Sequence, residues 1–379
     1  MAEDTPEAEQ KSATEHKPVY YGDYLRLGQL LSCQHPESER LGRPAHDEML
    51  FITVHQAYEL WFKQIIHELG SVQAAFAGPV LDDRALTPVV RSLDRVREIL
   101  RLLIQQIDVL ETMTPLDFLD FRDLLYPASG FQSWQFRLIE IRLGLRAGQR
   151  VSYDGKGFNE RLNAEDRARL TKAEAEPKLI EQLDAWLRRT PFLSHEGWTF
   201  EEVYRDAVRG QLEADAAQLA ANRTLAESQR EAQLKRLERE LARFDALFDE
   251  ASYEALRREG QWHMSRQALQ AALLITLYRD EPACQQPFRL LSLLMDIDEE
   301  MTSWRNRHAL MVQRMIGSRI GTGGSSGHDY LRAAADEHQV FGDLFALSTF
   351  LIARSTLPPL PKALRRAMGF SYEDAPDAA

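Results

Sequence analysis

From Tyr20 onward the apolar residues of this chain recur at spacings of three and four, with few alternating β-branched runs and no Gly-x-Gly turn leading from strand to helix. That period is the helical one, and it predicts a nearly all-helical fold. The stretch from His46 to about Ala75 shows it best: Phe51, His55, Tyr58 and Phe62 form one stripe, which Val54, Trp61 and Ile65 widen. So broad an apolar face predicts a helix buried at the centre of the molecule. With 379 residues and 44% hydrophobic content the chain can bury a large core, so the expected class is all-α, a large helical bundle-type domain.

The charge pattern narrows the partners. A formal net charge of −12 and the absence of any long Lys/Arg run argue against nucleic acid or an anionic membrane surface, both of which call for a basic patch. The acidic, polar start lacks the basic and apolar regions of a signal peptide, and stretches such as QALQAALLITLY from Gln267 fall short of the ~20 residues of a membrane span. Cys33 and Cys284 allow at most one disulfide and match no metal spacing, which suits a reducing compartment. The expected location is the cytoplasm. Residues 1–18 are predicted to be a disordered tail, 19–370 a single domain and 371–379 a flexible tail. Within the domain, 199–260 turns to Glu, Arg, Ala and Leu with acid–base pairs at helical spacing, which predicts a charged, solvated helical excursion. GTGGSSG from Gly321 reads as a flexible loop and not a phosphate loop, since no Gly-Lys-Ser/Thr follows.

Two histidines sit on apolar stripes. In MTSWRNRHALMVQRM from Met301, His308 shares its helical face with Met301, Trp304, Met311, Val312 and Met315, while Asn306, Arg307, Gln313 and Arg314 point away. A neutral imidazole there is either a packed core side chain or the ligand of something buried. His55 repeats the anomaly, its bland alternative being a core histidine paired with Glu59 one turn on. Arg122 lies on a helical face with Phe118 and Leu125, and no position three or four residues away is acidic. Its anion is then on another helix, in solvent or on a ligand.

Four blocks carry a resemblance: YYGDYLRLGQLL from Tyr20, the helix from His46 to Ile65, ETMTPLDFLDFRDLLYPASGFQSWQFR from Glu111, and WRNRHALMVQRMIGSRIGTGGSSGHDYL from Trp304. In this order they resemble the tryptophan 2,3-dioxygenase family. The resemblance implies an all-α domain enclosing one b-type haem per subunit, ferrous in the working state. It implies insertion of both atoms of O2 across the indole C2=C3 bond of L-tryptophan to give N-formyl-L-kynurenine, the first step of the kynurenine pathway. His308, in Trp-Arg-x-x-His followed fourteen residues later by Thr322, becomes the proximal iron ligand, flanked by Trp304. His55 becomes the distal group that accepts the indole N–H, with Phe51 packed on the ring beside Phe118 and Leu125. Arg122 becomes the carboxylate ligand, Ser129 and Gly130 line the haem edge and the substrate, and Thr322 meets the substrate ammonium. Tyr21 and Tyr24 reach in from an adjacent subunit of a homotetramer, a dimer of dimers.

Three rival functions meet the same residues. A ferritin-like di-iron oxidase needs Glu-x-x-His pairs, and none of the ten histidines has Glu three residues before it. A haem-based gas sensor or an all-helical scaffold would explain His308 and the charged segment without a substrate pocket, but a sensor for a neutral diatomic has no use for a buried guanidinium such as Arg122. A relative acting on another indole differs by only a few pocket side chains.

Overall fold

The computed structural model describes residues 18–78, 80–146, 162–222, 224, 226–317, 319 and 338–369. Three long helices set the frame: α1 (Glu48–Phe76), α2 (Asp83–Leu110) and, far along the chain, the 35-residue helix Pro282–Ile316. Between them come α3 (Pro115–Arg122), α4 (Trp134–Leu143), α5 (Ala164–Ala175), α6 (Leu179–Leu187), α7 (Phe200–Ala221), α8 (Glu227–Phe248), α9 (Glu250–Arg258) and α10 (Arg266–Leu277), so the last long helix is α11. Among the described residues the strand content is one two-residue antiparallel hairpin, Ser194–His195 with Trp198–Thr199. Its turn, Glu196 and Gly197, has positive φ at both positions, as a tight two-residue hairpin requires.

Local chemistry starts these helices where they start. Asp82 accepts from the Ala85 N–H at the head of α2, and Thr114 and Asp117 form a reciprocal capping box at the head of α3 with Pro115 in its first position. Ser133 and Ser265 cap α4 and α10 in the same way. Gly144 ends α4 at φ +124°, and a Cβ there would lie 2.4 Å from Ile180 Cγ2, so only glycine lets α6 pack so close.

α2 packs along both α1 and α11. Ile65, Leu69 and Val72 of α1, Leu93 and Leu103 of α2, and Leu290, Leu294 and Ile297 of α11 are buried where they meet. Each such side chain contributes about 1.5–3 kcal/mol by leaving water. α10 is buried over the whole run Ala268–Ile275, the signature of a helix enclosed on every side. Along the outer seam of α2 and α11, Arg97 pairs with Asp94, Glu98 and Asp296, and Arg101 with Glu300. These surface pairs, partly exposed, contribute about 1 kcal/mol or less each and set register more than stability.

The helix expected from His46 to about Ala75 is Glu48–Phe76, and Val54, Tyr58, Phe62 and Ile65 are buried along it. The segment 199–260 forms α7, α8 and α9, and it is less detached than its composition implies. Phe200, Tyr204, Val208, Leu247, Phe248 and Tyr253 are buried, and the Tyr253 hydroxyl donates to the Met264 carbonyl at 2.9 Å, so the base of the pair belongs to the main core. The expected tails 1–18 and 371–379, apart from residue 18, and the loop from Gly321 lie outside the described residues. Among the described residues no helix is long and apolar enough to cross a membrane.

Candidate active site

α1, α3, α4 and α11 converge on a cavity of about 250 Å³. Its wall is mostly apolar and aromatic. Phe51 and Phe62 come from α1, Phe118 from α3, Phe136 from α4, and Met311 and Val312 from α11. Both anomalous histidines border it.

His55 is held by its own helix. Its Nδ1 lies 2.7 Å from the Phe51 carbonyl oxygen, and since a carbonyl can only accept, Nδ1 carries the proton. The tautomer is thereby set, leaving the Nε2 lone pair as an acceptor. Burial pushes the imidazole pKa below its usual value, against smaller opposing effects from the Phe51 carbonyl and Glu59, so the ring is neutral near pH 7. Pairing with Glu59, the alternative read from spacing, is not what holds it: Glu59 accepts instead from Gln135 Nε2 at 2.7 Å. Phe51 lies against the imidazole with ring centroids 4.0 Å apart and stacks on Phe118 at 5.7 Å.

His308 is more isolated. Its Nδ1 is buried with no hydrogen-bond partner among the described residues, and its ring stacks on Trp304 at 5.1 Å and 23°. Burial, and secondly the nearby His55, lowers its pKa to about 4, so it too is neutral with a lone pair to give. Trp304 in turn packs on Phe136 at 4.9 Å and edge-on to Tyr58 at 6.2 Å, and the Tyr58 hydroxyl donates to the Leu103 carbonyl at 2.5 Å.

Arg122 ends α3 on the cavity wall and is half-buried. It already has an interaction within the protein. Ser129 and Gly130 also border the cavity; Ser129 caps the short turn Gly130–Gln132, and a Cβ on Gly130 would meet nothing within 4 Å. Leu125 does not reach the cavity wall and packs against the main core. Tyr21 and Tyr24, on the helical turn Tyr21–Tyr24, are 70% and 72% exposed and lie off the cavity of their own chain. Thr322 lies outside the described residues.

One cluster on the same wall escaped the sequence reading. Glu140 accepts from Arg137 at 2.8 Å and from Arg305 at 2.9 Å, with His338 Nδ1 at 3.3 Å, and all four residues are buried. Burial alone would push the Glu140 carboxyl up, but Arg137, His338 and Arg305 outweigh it and hold it well below the usual carboxylate range. Arg305 also donates to the His338 carbonyl, and Asp298 accepts from the Val340 and Phe341 N–H groups, which ties segment 338–341 to α11. A signal was present: Arg305 stands four residues after Met301 and three before His308, an arginine on the apolar stripe itself.

Fold and site together define a class: an all-α protein that encloses a ligand pocket between long helices, with neutral imidazoles from two of them and an arginine at its rim. The particular family follows from comparison. The tryptophan 2,3-dioxygenase family model matches residues 6–351, and the chain belongs to that family. Relatives named tryptophan 2,3-dioxygenase include one from Bdellovibrio bacteriovorus, 51% identical over 94% of this chain and 99% of its own length. Others, from Alteromonas mediterranea and Dictyostelium discoideum, are each 46% identical, over 93% and 94% of this chain and 98% and 89% of their own lengths.

Proposed function

We propose that the chain is a haem-dependent dioxygenase that inserts both atoms of O2 across the indole C2=C3 bond of L-tryptophan, giving N-formyl-L-kynurenine. The observation that carries this reading is the pairing of two neutral imidazoles on one apolar cavity: His55, its proton committed to the Phe51 carbonyl, and His308, whose buried Nδ1 has no hydrogen-bond partner among the described residues. The donor set suits a single b-type haem. An uncharged imidazole on a rigid helix, backed by Trp304 and an apolar wall, is the environment an axial iron ligand needs. His308 would hold the iron, Trp304 would back the ligand ring, and Ser129 and Gly130 would border the macrocycle edge, where the space beside Gly130 is open. Bound there in its ferrous state, the haem supplies the activation of dioxygen.

The chain's own residues bind and orient the substrate. His55 Nε2 accepts the indole N–H, which fixes the ring's orientation; it need not remove that proton, because an indole N–H is a very weak acid. Phe51 and Phe118 pack on the indole, and the apolar wall excludes water. The planar Arg122 guanidinium takes the carboxylate in a two-point contact. Thr322 meets the ammonium, and Tyr21 and Tyr24 complete the pocket of a neighbouring subunit in a homotetramer built as a dimer of dimers. The exposure of both tyrosines supports that donation, since exposed aromatics on a terminal segment are ready-made contact groups. The test is turnover under isotopically labelled O2: both labelled atoms are expected in the product at one O2 consumed per L-tryptophan. One label in product and one in water would overturn the reading.

A further inference from the structure

We infer that Arg307, which faces away from the cavity, is a positioning residue: it latches the helix that carries His308 to the hinge of the helix that carries Phe118 and Arg122. The inference rests on the proposed role of Arg122 for its effect on substrate, but not for its effect on α3. Arg307 forks onto Glu111, with Nη1 2.9 Å from Oε1 and Nη2 2.7 Å from Oε2, and Nη2 also reaches Asp108 Oδ1 at 2.7 Å. A two-point contact between planar groups fixes orientation as well as distance. Glu111, whose side chain is only 12% exposed, is the residue immediately after α2.

From there the path to α3 is short and stiff. Thr112 Oγ1 donates to the Val109 carbonyl, Met113 is buried, and Thr114 is locked by its capping box. α3 has eight residues, too few to persist as a helix by propensity alone, so attachments decide where it lies. Phe121, buried beneath it, anchors its inner face; the Arg307–Glu111 fork anchors its leading end. Shifting the hinge would carry Phe118 and Arg122 away from the cavity while leaving Trp304 and His308 on α11 in place.

The experiment uses the haem-loaded protein and the variants Arg307→Leu, Arg307→Lys and Glu111→Gln. L-tryptophan and tryptamine, which lacks the carboxylate, are titrated by their effect on the haem absorbance, and amide hydrogen exchange is followed across the chain. Expected are faster exchange confined to Thr112–Arg122, unchanged haem content, and L-tryptophan binding weakened about fivefold, the range set by the loss of one well-formed two-point ion pair near the surface. Tryptamine is expected to weaken less. Arg307→Lys, which keeps the charge but not the fork, should resemble Arg307→Leu more than the wild type. Unchanged exchange in α3 would overturn the latch whatever Arg122 does, as would loss of haem or a loosening of α11. Faster α3 exchange with equal weakening of both ligands would uphold the latch and overturn the carboxylate role of Arg122.

Discussion

The buried neutral His308 makes the stability of the cofactor-free chain depend on pH in a calculable way. In the unfolded chain its imidazole titrates near the ordinary value of about 6.5, whereas in the fold it is lowered to about 4. Above pH 6.5 both states carry it neutral, and nothing is lost. As the pH falls from there, the unfolded state takes up a proton that the folded state refuses, so folding loses free energy down to the folded pKa and then levels off. The linkage relation gives about 2 kcal/mol lost by pH 5 and about 3 kcal/mol by pH 4 from this one side chain. The matched control is His308→Leu, apolar and of similar bulk, which does not titrate. Urea unfolding of the two cofactor-free proteins, followed by circular dichroism from pH 7.5 to 4, isolates the effect in their difference. The His55 shift has the same direction and is common to both proteins. So is Glu140, whose depressed carboxyl begins to lose its contribution as the pH falls below its ordinary value of 4.5 and goes on losing it at lower pH. Wild type is expected to lose about 3 kcal/mol more than the variant. Parallel pH profiles would refute the claim that His308 is held neutral by its surroundings.

Arg122→Leu should weaken L-tryptophan by several kcal/mol if the ion pair is largely desolvated while weakening tryptamine much less; equal losses in binding titrations would point to a structural role. His55→Ala should slow turnover by about one to three orders of magnitude, as loss of a positioned polar contact does, yet leave it measurable. In steady-state assays, equal rates for wild type and variant on both L-tryptophan and 1-methyltryptophan would remove His55 from the mechanism. Mixing an inactive His308→Ala chain with an inactive Tyr21/Tyr24 double variant, under conditions that exchange subunits, should restore activity through hybrid sites; no recovery despite demonstrated exchange would mean that each chain builds its own pocket.

Periodicity alone marked out the central helix Glu48–Phe76 and the helix that carries His308, because each buries a stripe whose spacing is written locally. The structure brings Phe51, His55, Trp304 and His308 of those stripes to one cavity with Phe118 and Arg122, read from a third helical face, and with Ser129 and Gly130, which only the family resemblance singled out. What stayed hidden is long-range. Glu140 meets Arg305 across 165 positions and His338 across 198, and no local pattern encodes such partners. Glu59 shows why spacing misleads: an i,i+4 contact contributes only a few tenths of a kcal/mol, and it yields to the Phe51 carbonyl on one side and Gln135, 76 positions away, on the other. Leu125 shares a sequence block with Arg122, but it falls in the 3-10 turn Asp123–Leu125, past the end of the helix whose face was read, and it is not among the residues that line the cavity.

The central claim is that His308 binds haem beside a pocket for L-tryptophan, and the most direct measurement is the absorbance spectrum of the purified protein before reduction, after it, and after addition of L-tryptophan. The account predicts a Soret band of histidine-ligated haem that shifts on reduction, shifts again with L-tryptophan, and is largely lost in His308→Ala while the helical circular dichroism remains. Normal haem content with an unchanged histidine-ligated spectrum in His308→Ala, or a wild-type band indifferent to L-tryptophan, would contradict it.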